Sequence, residues 1–181
     1  MLEVDASFKI CLFGEGGVGK TSLTKRFLTG IFELNTQMTM GAQIYVKYME
    51  VKKMKVALQI WDFGGEEQFR FLLPSYSKGS SGGVYMFDIT RYESMKKIYQ
   101  WLDLFREGLK DQESEAPIPI LMVGGKIDLE EKRSVSTRDA TSMAEACDLM
   151  GYLECSALTG ENVGVIFEDL TLEMLKRNKL L

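Results

Sequence analysis

The run Gly14-Glu15-Gly16-Gly17-Val18-Gly19-Lys20-Thr21 constrains this chain more than any other. Its spacing, G-x-x-x-x-G-K-[ST], is that of a phosphate-binding loop, or P-loop. Both flanks suit that reading. Phe8 to Phe13 is short, mostly apolar and ended by glycine, as a buried strand is, and Lys20 to Leu28 reads as a helix. Polyphosphate carries dense negative charge. Glycines let the backbone wrap close around it, so that successive N–H groups form an anion nest. The helix N-terminus adds unpaired N–H groups and the positive end of its dipole. Lys20 is then expected to reach the β- and γ-phosphates, and the Thr21 hydroxyl to bind Mg²⁺, with Gly16, Gly17, Val18, Gly19 and Ser22 completing the phosphate contacts.

The remainder of the chain supplies a sheet for this loop. Strand-like runs at Ala42 to Val51, Lys55 to Trp61, Gly83 to Phe87, Ile120 to Val123 and Tyr152 to Cys155 alternate with helical patterns at Glu93 to Leu109, Thr137 to Met150 and Val163 to Arg177. A short turn near Lys52-Lys53 makes the second and third strands a hairpin, so one strand is antiparallel. The expected fold is α/β: a six-stranded, mainly parallel sheet with about five helices on both faces. With no repeat or linker in 181 residues, residues 1–181 are expected to form one domain with a core of about 8–177.

Composition excludes several classes. A net charge of −4 argues against a nucleic-acid binder, because attraction of cations to phosphate dominates such binding. The absence of histidine removes His triads and His metal sites. Cys11, Cys147 and Cys155 lack metal spacing and fit reduced thiols in a cytoplasmic protein. No signal peptide and no apolar run long enough to span a membrane is evident. The chain carries neither a prenylation cysteine nor a myristoylation glycine. The expectation is a protein without a lipid anchor in this chain; peripheral membrane association would need a missing tail or a recruiting partner.

Ligands of such sheets bind beyond the carboxyl ends of the strands. One such end carries Trp61-Asp62-Phe63-Gly64-Gly65-Glu66-Glu67. Asp62 suits the carboxylate that partners a P-loop Mg²⁺, through a metal-bound water, and the Gly65 N–H suits a γ-phosphate. Another carries Gly124-Gly125-Lys126-Ile127-Asp128. An aspartate accepts two hydrogen bonds from guanine N1–H and N2–H₂, whereas adenine presents an acceptor at N1. The Lys126 stem can cover the base. Taken alone, Lys126 and Asp128 are more often solvated turn residues. Backbone N–H groups of Ser156, Ala157 and Leu158 are placed to meet guanine O6.

These residues resemble the small GTPases of the Ras superfamily, with the Rab branch nearest, from Phe8 to about Arg177. Trp61-Asp62, Phe69-Arg70 and Thr39-Met40-Gly41 carry the likeness to Rab. The resemblance implies a small G-protein domain that binds GTP and GDP with Mg²⁺, hydrolyses GTP, and changes loop conformation to control partners. It makes residues 31–41 the first switch and 64–77 the second. Thr39 would bind Mg²⁺ through its hydroxyl and the γ-phosphate through its N–H. Phe32 would lie against the guanine edge, although alone it reads as a buried loop anchor. Catalysis would involve Lys20, Thr39, Gly65 and Glu66. Effector, exchange and activating proteins would bind a monomer through the switches, around Ile44, Trp61 and Tyr76; Ile44 reads equally as a residue packed in its strand.

The chain departs from that family in ways that bear on chemistry. Glu66 stands where glutamine usually orients the attacking water. An ionised carboxylate only accepts hydrogen bonds and brings negative charge towards the γ-phosphate, so slow hydrolysis is expected. Gly125 replaces an asparagine whose side chain ties the base loop to the P-loop; weaker guanine affinity, by about 1–2 kcal/mol, follows if nothing replaces those bonds. Leu158 stands where lysine is frequent. Together with the missing lipid signal, these changes look more like archaeal or otherwise divergent relatives. No arginine finger is evident in the chain, and Arg70 is expected to be solvated or partner-facing. A pseudo-GTPase interaction module is the alternative that Glu66 and Gly125 motivate. An ATP-dependent phosphotransferase fits poorly, since Asp128 favours guanine.

Overall fold

The computed structural model describes residues 3–113 and 116–181. Six strands form one sheet: β1 (Ala6–Phe13), β2 (Ala42–Val51), β3 (Met54–Phe63), β4 (Gly82–Asp88), β5 (Ile120–Gly125) and β6 (Gly151–Glu154), in the order β2-β3-β1-β4-β5-β6. All neighbours are parallel except β2 and β3. The β2–β3 turn is two residues long. Lys52 and Lys53 both have positive φ, 50° and 67°, the left-handed pair that matches strand twist in a tight hairpin.

Period-two burial explains the two cores. Along β1, Phe8, Ile10 and Leu12 face one side while Cys11 and Phe13 face the other. Val84 and Met86 of β4 join the first set, Tyr85 and Phe87 the second. The first side is covered by α1 (Lys20–Thr29) and α6 (Val163–Arg177), where Phe27 stacks on Phe167. On the second side lie α4 (Ile98–Glu107), whose Phe105 stacks on Phe13, and α5 (Thr137–Ala146). Each large side chain so buried contributes about 1.5–3 kcal/mol. The three cysteines are buried and free. No helix among the described residues is long and apolar enough to cross a membrane.

Several boundaries differ from expectation, and each has a local cause. The helix expected over Glu93–Leu109 is two pieces, α3 (Tyr92–Lys96) and α4, because Lys97 adopts ψ 3°. The second switch, read as a loop, contains a 3₁₀ stretch (Glu67–Leu72) and the short helix α2 (Leu73–Ser77), which starts at a proline position that suits a first turn. Six α-helices among the described residues therefore stand against about five expected. Helix α5 stops four residues early, where Asp148 turns left-handed and the Leu149 N–H reaches back to Ala144 O. Strand β3 continues through Asp62 and β5 through Gly125, so both carry site residues on paired, rigid backbone.

Candidate functional site

The glycine loop joins β1 to α1 and turns through left-handed backbone. Gly17 has φ 72° and Gly19, capping α1, has φ 106°. Gly14 passes so close to β4 that a Cβ would lie under 3.0 Å from Met86 O. Lys20 is 5% exposed, and its Nζ donates to Gly14 O (2.9 Å) and Glu15 O (2.7 Å). Burial lowers its pKa to about 8, opposed by Asp62, Glu15 and Glu66 nearby. A buried cation capped by two of its own loop's carbonyls is poised to exchange them for an anion.

The proposed metal ligands converge next to it. Thr21 Oγ1 donates to Asp62 Oδ2 (2.6 Å) and lies 2.8 Å from Thr39 Oγ1. Asp62 is fully buried, its pKa raised by burial against the Thr21 hydrogen bond and the Lys20 charge. Its other oxygen, Oδ1, is buried without a hydrogen-bond partner. An orphaned carboxylate oxygen beside two hydroxyls is a donor set that fits a hard, oxygen-seeking divalent cation such as Mg²⁺.

Both switch loops close on this point. Gly64 N–H donates to Gly41 O (2.6 Å), and a Cβ on Gly64 would collide with Thr39 O. A Cβ on Gly65 would lie under 3.0 Å from the backbone of Gly14, Glu15 and Gly16, so only glycine brings the second switch down onto the P-loop. Glu66 Oε1 occupies the space above Gly16. The loops enclose a cleft of about 350 Å³ whose lining includes Lys20, Thr21, Thr39, Gly65, Glu66 and Lys126. Phe32 is half-buried and outside that lining.

The loop expected to meet the base is held by side chains. Lys126, at φ 68°, donates to Gly17 O (2.8 Å) and pairs with Asp88 (2.8 Å), which is 2% exposed. Burial alone would raise the Asp88 pKa; hydrogen bonds from Lys126 and Thr90 outweigh it and lower it. Asp128 Oδ1 accepts from Ser156 Oγ (2.7 Å), and the Ile127 N–H from the same loop donates to Cys155 O. The loop around Ser156 carries a further internal bond. The Ser156 N–H donates to Glu161 O (3.1 Å).

Arg70 also differs from expectation. It is folded inward rather than solvated. Its guanidinium lies over the Trp101 ring and pairs with Glu15 (2.6 Å), which also accepts from Trp101 Nε1 (2.8 Å) and pairs with Lys97 (3.3 Å). Glu15 thus links the P-loop, the second switch and α4. Sequence reasoning missed it because it occupies one of the four unconstrained positions of the motif. Arg91, which donates to Gly16 O (2.8 Å), and Met86 lie outside every motif. The trio Ile44, Trp61 and Tyr76 does come together: Ile44 is opposite Trp61 in the hairpin, and the Trp61 and Tyr76 rings are 5.9 Å apart. Ile44 is 54% exposed, not packed away.

Comparison with known proteins gives these likenesses. The model of the Ras family matches residues 9–176. Ras-related protein Rab-30 of Homo sapiens is 39% identical over 175 residues, covering 97% of this chain and 83% of that protein. Ras-related protein Rab-19 of Xenopus laevis is 35% identical over 174 residues (96% and 79%). Ras-related protein Rab-11C of Dictyostelium discoideum is 37% identical over 168 residues (93% and 72%).

Proposed function

Since the chain belongs to the Ras family, in its Rab-like branch, and is therefore a GTP-binding switch GTPase in general character, we propose that it binds GTP with Mg²⁺, hydrolyses it slowly to GDP, and signals the difference through residues 31–41 and 64–77. The observation that carries this reading is the convergence of Thr21, Thr39 and the orphaned Asp62 oxygen beside buried Lys20. In this reading Lys20 leaves its loop carbonyls for the β- and γ-phosphates. Thr21, Thr39 and Asp62 hold Mg²⁺, which when bound would neutralise charge on the phosphate oxygens. The Gly65 N–H meets the γ-phosphate, and Asp128 selects guanine.

Glu66 is the residue we assign to the attacking water. Its carboxylate, above Gly16, accepts a hydrogen bond from the water and so orients it, while its charge opposes the anionic transition state. Arg70 is committed to Glu15 and Arg91 to the Gly16 carbonyl, so neutralisation by an arginine falls to a partner. Loss of the γ-phosphate frees Thr39 and Gly65, and with them both loops. Effector, exchange and activating proteins read that change on the surface around Ile44, Trp61 and Tyr76. The protein acts as a cytoplasmic monomer; any membrane association comes through a partner or a further tail.

Denaturing a gently purified, Mg²⁺-containing sample and identifying the released nucleotide tests the reading. GDP supports a complete hydrolytic cycle, and GTP a stalled one. ATP overturns the base assignment. Single-turnover assays of Glu66→Gln then test the catalytic role: a changed rate is expected, and equal rates would show Glu66 to be a bystander.

A further inference from the structure

Met86 stands where the two halves of the site meet. It lies on β4 and is 1% exposed. A Cβ built on Gly125 would fall under 3.0 Å from Met86 Cε, with Val18 O at 3.2 Å. On Gly19 it would meet the same methyl at 3.4 Å, and on Gly14 it would strike the Met86 carbonyl. One residue is thus the first neighbour of three glycines, two in the P-loop and one in the base loop.

We infer that Met86 is a positioning residue for the nucleotide: its thioether fills the volume that a side chain at position 125 would occupy, and so sets the spacing between P-loop and base loop by packing instead of hydrogen bonding. The inference rests on the guanine-nucleotide reading above. An unbranched, polarisable thioether suits an irregular gap between two backbones. A side chain added at Gly125 must displace that methyl, the far end of a flexible side chain. Once it has moved, the next atom a side chain at 125 meets is the Val18 carbonyl oxygen, an acceptor on the P-loop 3.2 Å from the Cβ position. Methionine at 86 and asparagine at 125 therefore compete for one place. The glycine is not simply a lost contact; it is half of a matched pair.

A double-mutant cycle of Met86→Val, Gly125→Asn and both together tests this. Valine is shorter and suits a strand. The first readout is release of ribose-labelled fluorescent GDP from the Mg²⁺-bound protein. Gly125→Asn alone is expected to release no more slowly than the parent, and Met86→Val alone several-fold faster through the gap it leaves. The double variant is expected to release about tenfold more slowly than the parent. A merely structural role for Met86 would not produce that gain. The second readout is the melting midpoint in EDTA without nucleotide, where the double variant should recover the loss of Gly125→Asn. Should that variant fail to fold, Gly125→Ala completes the same cycle with a smaller clash. If Gly125→Asn alone slows release as much as the double, or if the substitutions add independently in melting, the inference is overturned. Absence of labelled-GDP binding in every variant would overturn the guanine reading itself, while the melting cycle still decides whether residues 86 and 125 share one volume.

Discussion

The phosphate end and the base end of the cleft are built from different materials. The phosphate end is mostly backbone: Gly17 and Gly19 in left-handed conformations, Gly65 pressed onto the P-loop, and one buried lysine. The base end is side chains: Lys126 on Asp88, Asp128 on Ser156, and Met86 filling the gap at Gly125. Backbone N–H groups recognise any polyphosphate and change little when neighbouring residues change, because every residue type except proline carries one. Side-chain recognition identifies the base, and a single substitution rewrites it. That difference explains how a chain can keep its P-loop intact while its base loop departs from the family pattern.

The comparison is broken most readily at Lys20. Lys20→Ala is expected to weaken GDP binding by about 3 kcal/mol, more than a hundredfold, by calorimetry, because charge-assisted bonds to phosphate are lost. A loss below tenfold would mean that the base end holds the affinity. Thr39→Ala sharpens the contrast within the phosphate end. Competition with a non-hydrolysable GTP analogue should show affinity for the triphosphate falling by about 1–2 kcal/mol, with GDP nearly unaffected. Equal losses for both nucleotides would remove Thr39 from γ-phosphate sensing.

Arg70→Ala breaks a partly buried ion pair and a cation–π contact, and should lower stability by about 1 kcal/mol in urea denaturation. Amide exchange should accelerate over residues 67–77 and stay constant around Asp128. Unchanged exchange in the second switch would show that Glu15 does not hold it down. The smallest effect is expected on acidification. The Asp88 pKa is depressed below 3.8, so its pairing with Lys126 stabilises the fold above that pH and is lost as pH falls through the depressed value. Asp88→Asn should flatten this part of the acid-unfolding curve measured by circular dichroism. A curve of identical shape would show that the pair contributes nothing.

Much of the phosphate end was legible in the sequence because it is specified locally. Eight consecutive residues define the loop, and the apolar runs around it set the strand and helix that aim it. Asp62 and Thr39 are remote in sequence, yet their place beside Thr21 followed from family likeness and strand ends. Contacts between segments without a motif stayed hidden. Nothing local marks Glu15 as the acceptor for Arg70, Lys97 and Trp101, or Met86 as the neighbour of Gly125, because each depends on the strand order of the folded sheet. The helix break at Lys97 and the early end of α5 escaped notice because single-residue ψ and φ values decide them.

Gly64 has a consequence for the information this protein can carry. Its N–H holds Gly41 O, and its missing Cβ leaves room for Thr39 O and nothing more. Two loops that share such a contact are coupled: when one loosens, the other loses a partner. Four combinations of loop states reduce to two. In the proposed cycle a binding protein that touches either loop learns the state of both, and a small surface suffices to report one bit.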